Sequence, residues 1–224
     1  MKHQFFLSLV MILLCAFPIS GQAQEKFDLT SIKFDPSRLF PILSETDILG
    51  APDDAITLDA MKKIDDRCMS RAPERFTPDA HQTYCACSAA ATQGTVTVGE
   101  LRDLQKEKNR VLGNKTFEKY MENVMKPCMT NVIEDVEYMF CIMSRDNDWR
   151  IRLPIPYCKC TSRAIKKDFD IFGLEQMMVG WGRTDIRPYE SPVDTVWNNS
   201  QFLKTRELKK EECVGAYMHP SYFK

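Results

Sequence analysis

Cysteine carries most of the chemistry this sequence could do. Eight cysteines follow residue 24: Cys68, Cys85, Cys87, Cys128, Cys141, Cys158, Cys160 and Cys213. The first three recur as the fifth to seventh at a constant shift of 73 residues, each set reading Cys, sixteen residues, Cys-x-Cys. Such a set suits three chemistries: a thiol redox pair, a soft-metal site or structural disulfides. Redox pairs usually hold Cys-x-x-Cys at a helix start in a βαβ context, and neither that spacing nor that context occurs here. A copper(I) site would draw on Met121, Met125 and Met129, which lie four apart around Cys128. Methionine at that spacing is also ordinary helix-core filling.

Structural disulfides use all eight cysteines. Eight allow 105 pairings, but only three if the two sets are alike and each is closed on itself. On a helix, residues two apart point about 200° around the axis, so Cys85 and Cys87 face apart and bond each other poorly. One of them takes Cys68 and the other Cys128. Cys158 and Cys160 share Cys141 and Cys213 in the same manner. Which cysteine takes which partner stays open.

Other reactive groups are few. His81 and His219 are the histidines beyond residue 23, and His81, near a helix cap, is a candidate acid–base group. There is no Gly-x-Ser-x-Gly elbow, phosphate loop, His-Glu-x-x-His or Cys-x-x-Cys-His. The carboxylate pairs Asp53/Asp54, Asp65/Asp66 and Glu211/Glu212 are adjacent in sequence and match solvated faces. They are the basis of a third-ranked alternative, a carboxylate-dependent hydrolase. No cofactor and no resident metal are expected.

The elements that must position the cysteines are helices. Thr77-Pro78-Asp79 reads as an N-cap, a proline at N1 and an early acid, and Ala80, Tyr84, Cys87 and Ala91 then fall on one helical face. Leu58, Met61, Ile64 and Cys68 form a stripe before it. Thr97 to Glu100 is a capping-box candidate after it. A fourth stripe, Phe117 to Cys128, is closed or kinked by Pro127. The second set predicts helices near Val132–Met143, Pro156–Lys167, Ile171–Val179 and Gln201–Met218. The Thr95–Val98 run could be a short strand, but has no evident partner.

The matching neighbours of the cysteines, such as Tyr84-Cys85-Ala86-Cys87 and Tyr157-Cys158-Lys159-Cys160, read as an internal duplication. The chain is therefore expected to be all-α, with two tandem disulfide-stapled helical repeats of about four helices each. Repeat one spans 58–129. Repeat two spans 130–224 and carries an insertion near 180–199. An extended or partly disordered arm, 24–57, precedes them. It repeats Lys-Phe-Asp at Lys26 and Lys33 and is expected to pack through Phe27, Phe34, Leu39 and Phe40.

The N-terminus reads as an export signal. Lys2 precedes an apolar run from Phe5 to Phe17, and Gly21-Gln22-Ala23 places small residues at the −3 and −1 positions. The run is shorter than the roughly 20 residues of a spanning helix, so cleavage after Ala23 is expected, with a periplasmic or secreted destination. Lys and Arg number 30 against 31 Asp and Glu over the whole chain. That balance offers no basic excess for nucleic acid.

All three tryptophans, Trp149, Trp181 and Trp197, lie in the second half. The stretch Gly180–Asn199 combines two of them with Tyr189, Gly and Pro, a composition suited to a recognition loop on a rigid frame. Trp181, Tyr189 and Trp197 are the candidate partner-binding residues. The competing reading has the tryptophans filling gaps between the repeats. The favoured function is an exported, non-enzymatic binding or accessory protein whose partner is another exported or envelope protein. The alternative is a periplasmic metal-binding (copper) or thiol-redox protein.

Overall fold

The computed structural model describes residues 43–70, 72–73, 75–144, 151–181 and 194–217. The signal segment, the Lys-Phe-Asp repeats, Trp149, Tyr189 and His219 lie outside the described residues. Within the described residues the chain is all-α. The helices are α1 (Leu58–Met69), α2 (Pro78–Thr95), α3 (Val98–Gln105), α4 (Lys115–Tyr120), α5 (Lys126–Met143), α6 (Pro154–Trp181), α7 (Asp194–Asn198) and α8 (Ser200–Tyr217). The Thr95–Val98 run is not a strand. Its single β-like contact is an isolated antiparallel bridge between Thr97 and Ala55.

Local chemistry explains the helix starts. Thr57 and Thr77 cap α1 and α2, their hydroxyls accepting from the N–H groups of Ala60 and Ala80. Thr97 and Glu100 form a reciprocal capping box on α3. Glu100 also receives the Lys119 ammonium at 2.9 Å, which ties α4 to α3. Partial burial pushes the Glu100 carboxyl upward, but the hydrogen bonds from Lys119 and the Thr97 N–H outweigh it, and the group titrates below its usual value. A depressed carboxylate stabilises the fold above its unfolded pKa and loses that contribution as pH falls through the folded one. The Glu100→Gln variant is therefore expected to show a flatter decline of melting temperature below about pH 4.5 than the parent chain. Parallel curves from pH 6 to pH 3 would contradict this.

The described part of the arm, 43–57, packs on the helical body. Leu43, Ile48 and Ile56 are buried in the main core. Their backbone is held by α3: Val98 and Gly99 N–H donate to the Asp54 and Pro52 carbonyls, and the Arg102 guanidinium donates to the carbonyls of Ile48 and Gly50. Gly99 is required by this approach, since a Cβ there would stand 3.0 Å from Pro52.

Pro127 does not end the fourth stripe. A π-helical turn, Met121–Met125, widens the chain ahead of it, with the Lys126 N–H bonding the Met121 carbonyl. The helical path thus runs from α4 into α5 without a break. The expected unit boundary between 129 and 130 falls inside α5, and one main core draws on both sides of it, from Leu43 to Phe202. A smaller cluster of Tyr157, Cys158, Cys213 and Val214 lies beside Tyr138, Cys141 and Ile142.

The two helices expected at 156–167 and 171–179 are one helix of 28 residues, α6. Its counterpart in the first set breaks between α2 and α3, where β-branched Thr95-Val96-Thr97 meets the capping box. At the 73-residue shift stand Asp168-Phe169-Asp170, and no cap forms at Asp170. Gly173 lets the Phe169 ring lie flat on the helix, where a Cβ would come within 2.7 Å of it.

Candidate functional site

Each sulfur has one partner: Cys68–Cys85, Cys87–Cys128, Cys141–Cys158 and Cys160–Cys213. The first and third bonds both span 17 residues, with Cα atoms 5.5 and 5.6 Å apart. The earlier cysteine of each Cys-x-Cys therefore bonds upstream and the later one downstream. Cys85 and Cys87 face α1 and α5 from opposite sides of α2, and Cys158 and Cys160 face α5 and α8 from α6. On a chain-entropy basis each loop contributes about 3–4 kcal/mol. Each bond joins one half-buried cysteine to one that is buried.

Met121, Met125 and Met129 are all buried in the main core. Met121 and Met125 open and close the π turn, and Met129 lies on α5 next to Cys128. Asp53, Asp54, Asp66, Glu211 and Glu212 are exposed. The Asp54 carboxylate accepts from the Ala51 N–H and that of Glu212 from Lys209, so these acids serve turns and helix surfaces.

Trp181 and Trp197 both lie in helices, α6 and α7. Gly180 and Trp181 belong to the last turn of α6, not to a loop. Gly180 is there because a Cβ would stand 2.9 Å from the Thr195 carbonyl. The Trp181 indole N–H donates to the Arg110 carbonyl at 2.8 Å, and its ring packs 5.7 Å from Phe117. Trp197, on α7, is 3% exposed. Its ring stands edge-on to Phe76 and Phe202.

Trp197 leads to a buried polar centre that the sequence reading missed. The Trp197 indole N–H donates to one carboxylate oxygen of Glu137 at 2.7 Å, and Arg206 Nε donates to the other at 2.7 Å. Glu137 and Arg206 are both buried. The Arg206 and Arg75 guanidinium groups lie over the Phe140 ring at 4.3 and 4.8 Å. This centre joins α5, α7 and α8. Both oxygens of Glu137 are engaged by protein donors, which fits a structural ion pair.

A second polar corner lies where α1 meets α2. His81 is 5% exposed, and its Nε2 is 3.0 Å from the Cys68 carbonyl. Since a carbonyl only accepts, Nε2 carries the proton and donates. The Phe76 ring stands edge-on to the imidazole, 6.5 Å between centroids. The ligand atoms of His81, Cys68 and Cys85 lie within 4.8 Å of one another, the one such group of three among the described residues.

Among the described residues no helix is long and apolar enough to cross a membrane. Comparison with models of protein families, with curated proteins and with solved structures finds no match to this chain. What the fold and its polar groups define is a class: an all-α protein stapled by four internal disulfides around a shared core.

Proposed function

We propose that this chain is an exported, disulfide-stabilised binding or accessory protein of the periplasm or cell envelope, built by internal duplication and acting on another exported protein without catalysing a reaction. The observation that carries this reading is the use of all eight cysteines in bonds that pin α1, α5 and α8 to α2 and α6. Disulfides persist in oxidising compartments, and they hold a recognition surface with little ordering cost on binding. The cleavable segment 1–23 supplies the route of export.

The partner surface is assigned to the stretch between α6 and α7, which includes Tyr189. Trp181 and Trp197 hold its two ends in the frame. Photo-crosslinking in the native compartment tests this. A benzophenone side chain at Tyr189 is expected to give a discrete adduct with an exported protein, competed by purified mature chain. The same probe at Leu58, which is 69% exposed on α1, is expected to give none. No adduct at 189, or equal adducts at both positions, would overturn the assignment. Mass analysis of the same sample should show a chain starting at Gln24 with no free thiol.

A further inference from the structure

The four disulfides are alike in burial, but among the described residues only Cys68–Cys85 has a histidine against it. At the 73-residue shift the position of His81 is occupied by Pro154, so the matching bond Cys141–Cys158 lacks this neighbour. We propose that Cys68, Cys85 and His81 form a redox-gated metal site: the Cys68–Cys85 bond is the one a dithiol reductant opens first, and the opened pair binds a borderline or soft divalent ion, Zn²⁺ above all, together with His81.

The opening step balances as thiol–disulfide exchange. A thiolate of the reductant attacks Sγ of Cys68, the half-buried partner. The S–S bond breaks and its electron pair leaves on Sγ of Cys85, which is fully buried. A buried thiolate is a poor leaving group unless a donor meets it, and the His81 Nε2–H, held on the Cys68 carbonyl while the bond is intact, is the donor that can turn to it, while solvent supplies the proton. The second thiol of the reductant then attacks its own sulfur in the mixed disulfide and releases Cys68. The reductant gives up two electrons and two protons and becomes a disulfide, while the protein gains two thiols.

The ligand set suits zinc chemistry. Two thiolates and one imidazole give three protein ligands with a fourth position open. Zn–S bonds of about 2.3 Å require the two sulfurs to part to about 3.7 Å in a tetrahedron, a small movement for Cα atoms already 5.5 Å apart. His81 donates Nε2–H to the Cys68 carbonyl, which orients the ring and leaves the other nitrogen for the ion, the usual arrangement of a metal-bound histidine. Binding releases the two thiol protons. His81 and Cys85 are one helical turn apart on α2, and Cys68 sits on the last turn of α1. α1 stays in place without the bond because Ala60 and Ile64 are buried in the main core. The Gln93 side chain also holds the Ile56 carbonyl just ahead of α1.

The test uses the mature oxidised chain. Limited anaerobic treatment with dithiothreitol, followed by alkylation and peptide mapping, is expected to label Cys68 and Cys85 before any other pair. After removal of the reductant, Co²⁺ added as a spectroscopic probe is expected to give one equivalent of tetrahedral thiolate absorption, displaced by one equivalent of Zn²⁺. The fully oxidised chain should give none. His81→Gln should weaken Co²⁺ binding at least about tenfold while its oxidised form keeps the parent helical signal. The Cys68→Ser/Cys85→Ser double variant, which retains three disulfides, should lose the absorption altogether. Labelling of another pair first, no Co²⁺ band from the reduced pair, or equal binding by His81→Gln would each overturn the proposal.

Discussion

Glu137→Leu should cost about 3–5 kcal/mol of folding stability, although it replaces a charge by an apolar side chain inside a core. Breaking a buried ion pair from one side leaves the other charge without compensation. Here the group left behind is Arg206, whose guanidinium is buried and donates to Glu137 at 2.7 Å. The Trp197 indole N–H loses its acceptor at the same time. Removing both charges is a different matter, because buried ion pairs are often no better than apolar residues of similar volume. The double variant Glu137→Leu/Arg206→Met should therefore recover most of the loss. A deficit of roughly 1–3 kcal/mol should remain for the unmet indole N–H. Urea unfolding with an unchanged slope measures all three proteins. A single variant within about 0.5 kcal/mol of the parent, or a double variant as poor as the single one, would mean that Glu137 does not hold α7 and α8 to α5.

This centre shows what was legible in the sequence and what was not. The disulfide frame was legible because the cysteine spacing repeats, and because a helix forbids a bond between residues two apart. The choice between Cys85 and Cys87 was not, since it depends on which side of α2 carries α1. Glu137 and Arg206 belong to no motif or apolar stripe that the sequence reading singles out. The signal was present: Glu137 stands at helical spacing between Ile133 and Phe140, and Arg206 follows Phe202 by one turn, so each charge interrupts an apolar stripe. Gly180 and Gly182 beside Trp181 suggested a loop, but glycine also permits close approach, and at Gly180 the Thr195 carbonyl takes up that space. The fusion of two expected helices into α6 turned on the absence of a capping box, which single-residue cap preferences at Asp170 do not capture. Pro127 announces a disturbance of the ladder, since it lacks an N–H, but not whether the helix stops there or widens into the π turn at Met121–Met125.

Trp197 provides the second large effect. Trp197→Ala should lower stability by about 3–5 kcal/mol, the range for truncating a buried aromatic, since the ring is 3% exposed and sits between Phe76 and Phe202. The loss should fall at the upper end, because one Glu137 oxygen then has no donor in a buried setting. Trp197→Phe keeps ring packing and removes only the N–H, so it should cost roughly 1–3 kcal/mol. The difference between the two variants separates packing from hydrogen bonding. Trp181→Ala is expected to cost less than Trp197→Ala: its ring is half-buried at the end of α6, packed on Phe117 and bonded to the Arg110 carbonyl. Thermal melts of the three variants, read beside the far-ultraviolet helical signal, give this order directly. If Trp197→Ala melts with the parent chain, then the ring does not fill the space between α7, α8 and the α1–α2 connection, and it returns to the set of residues free to face a partner.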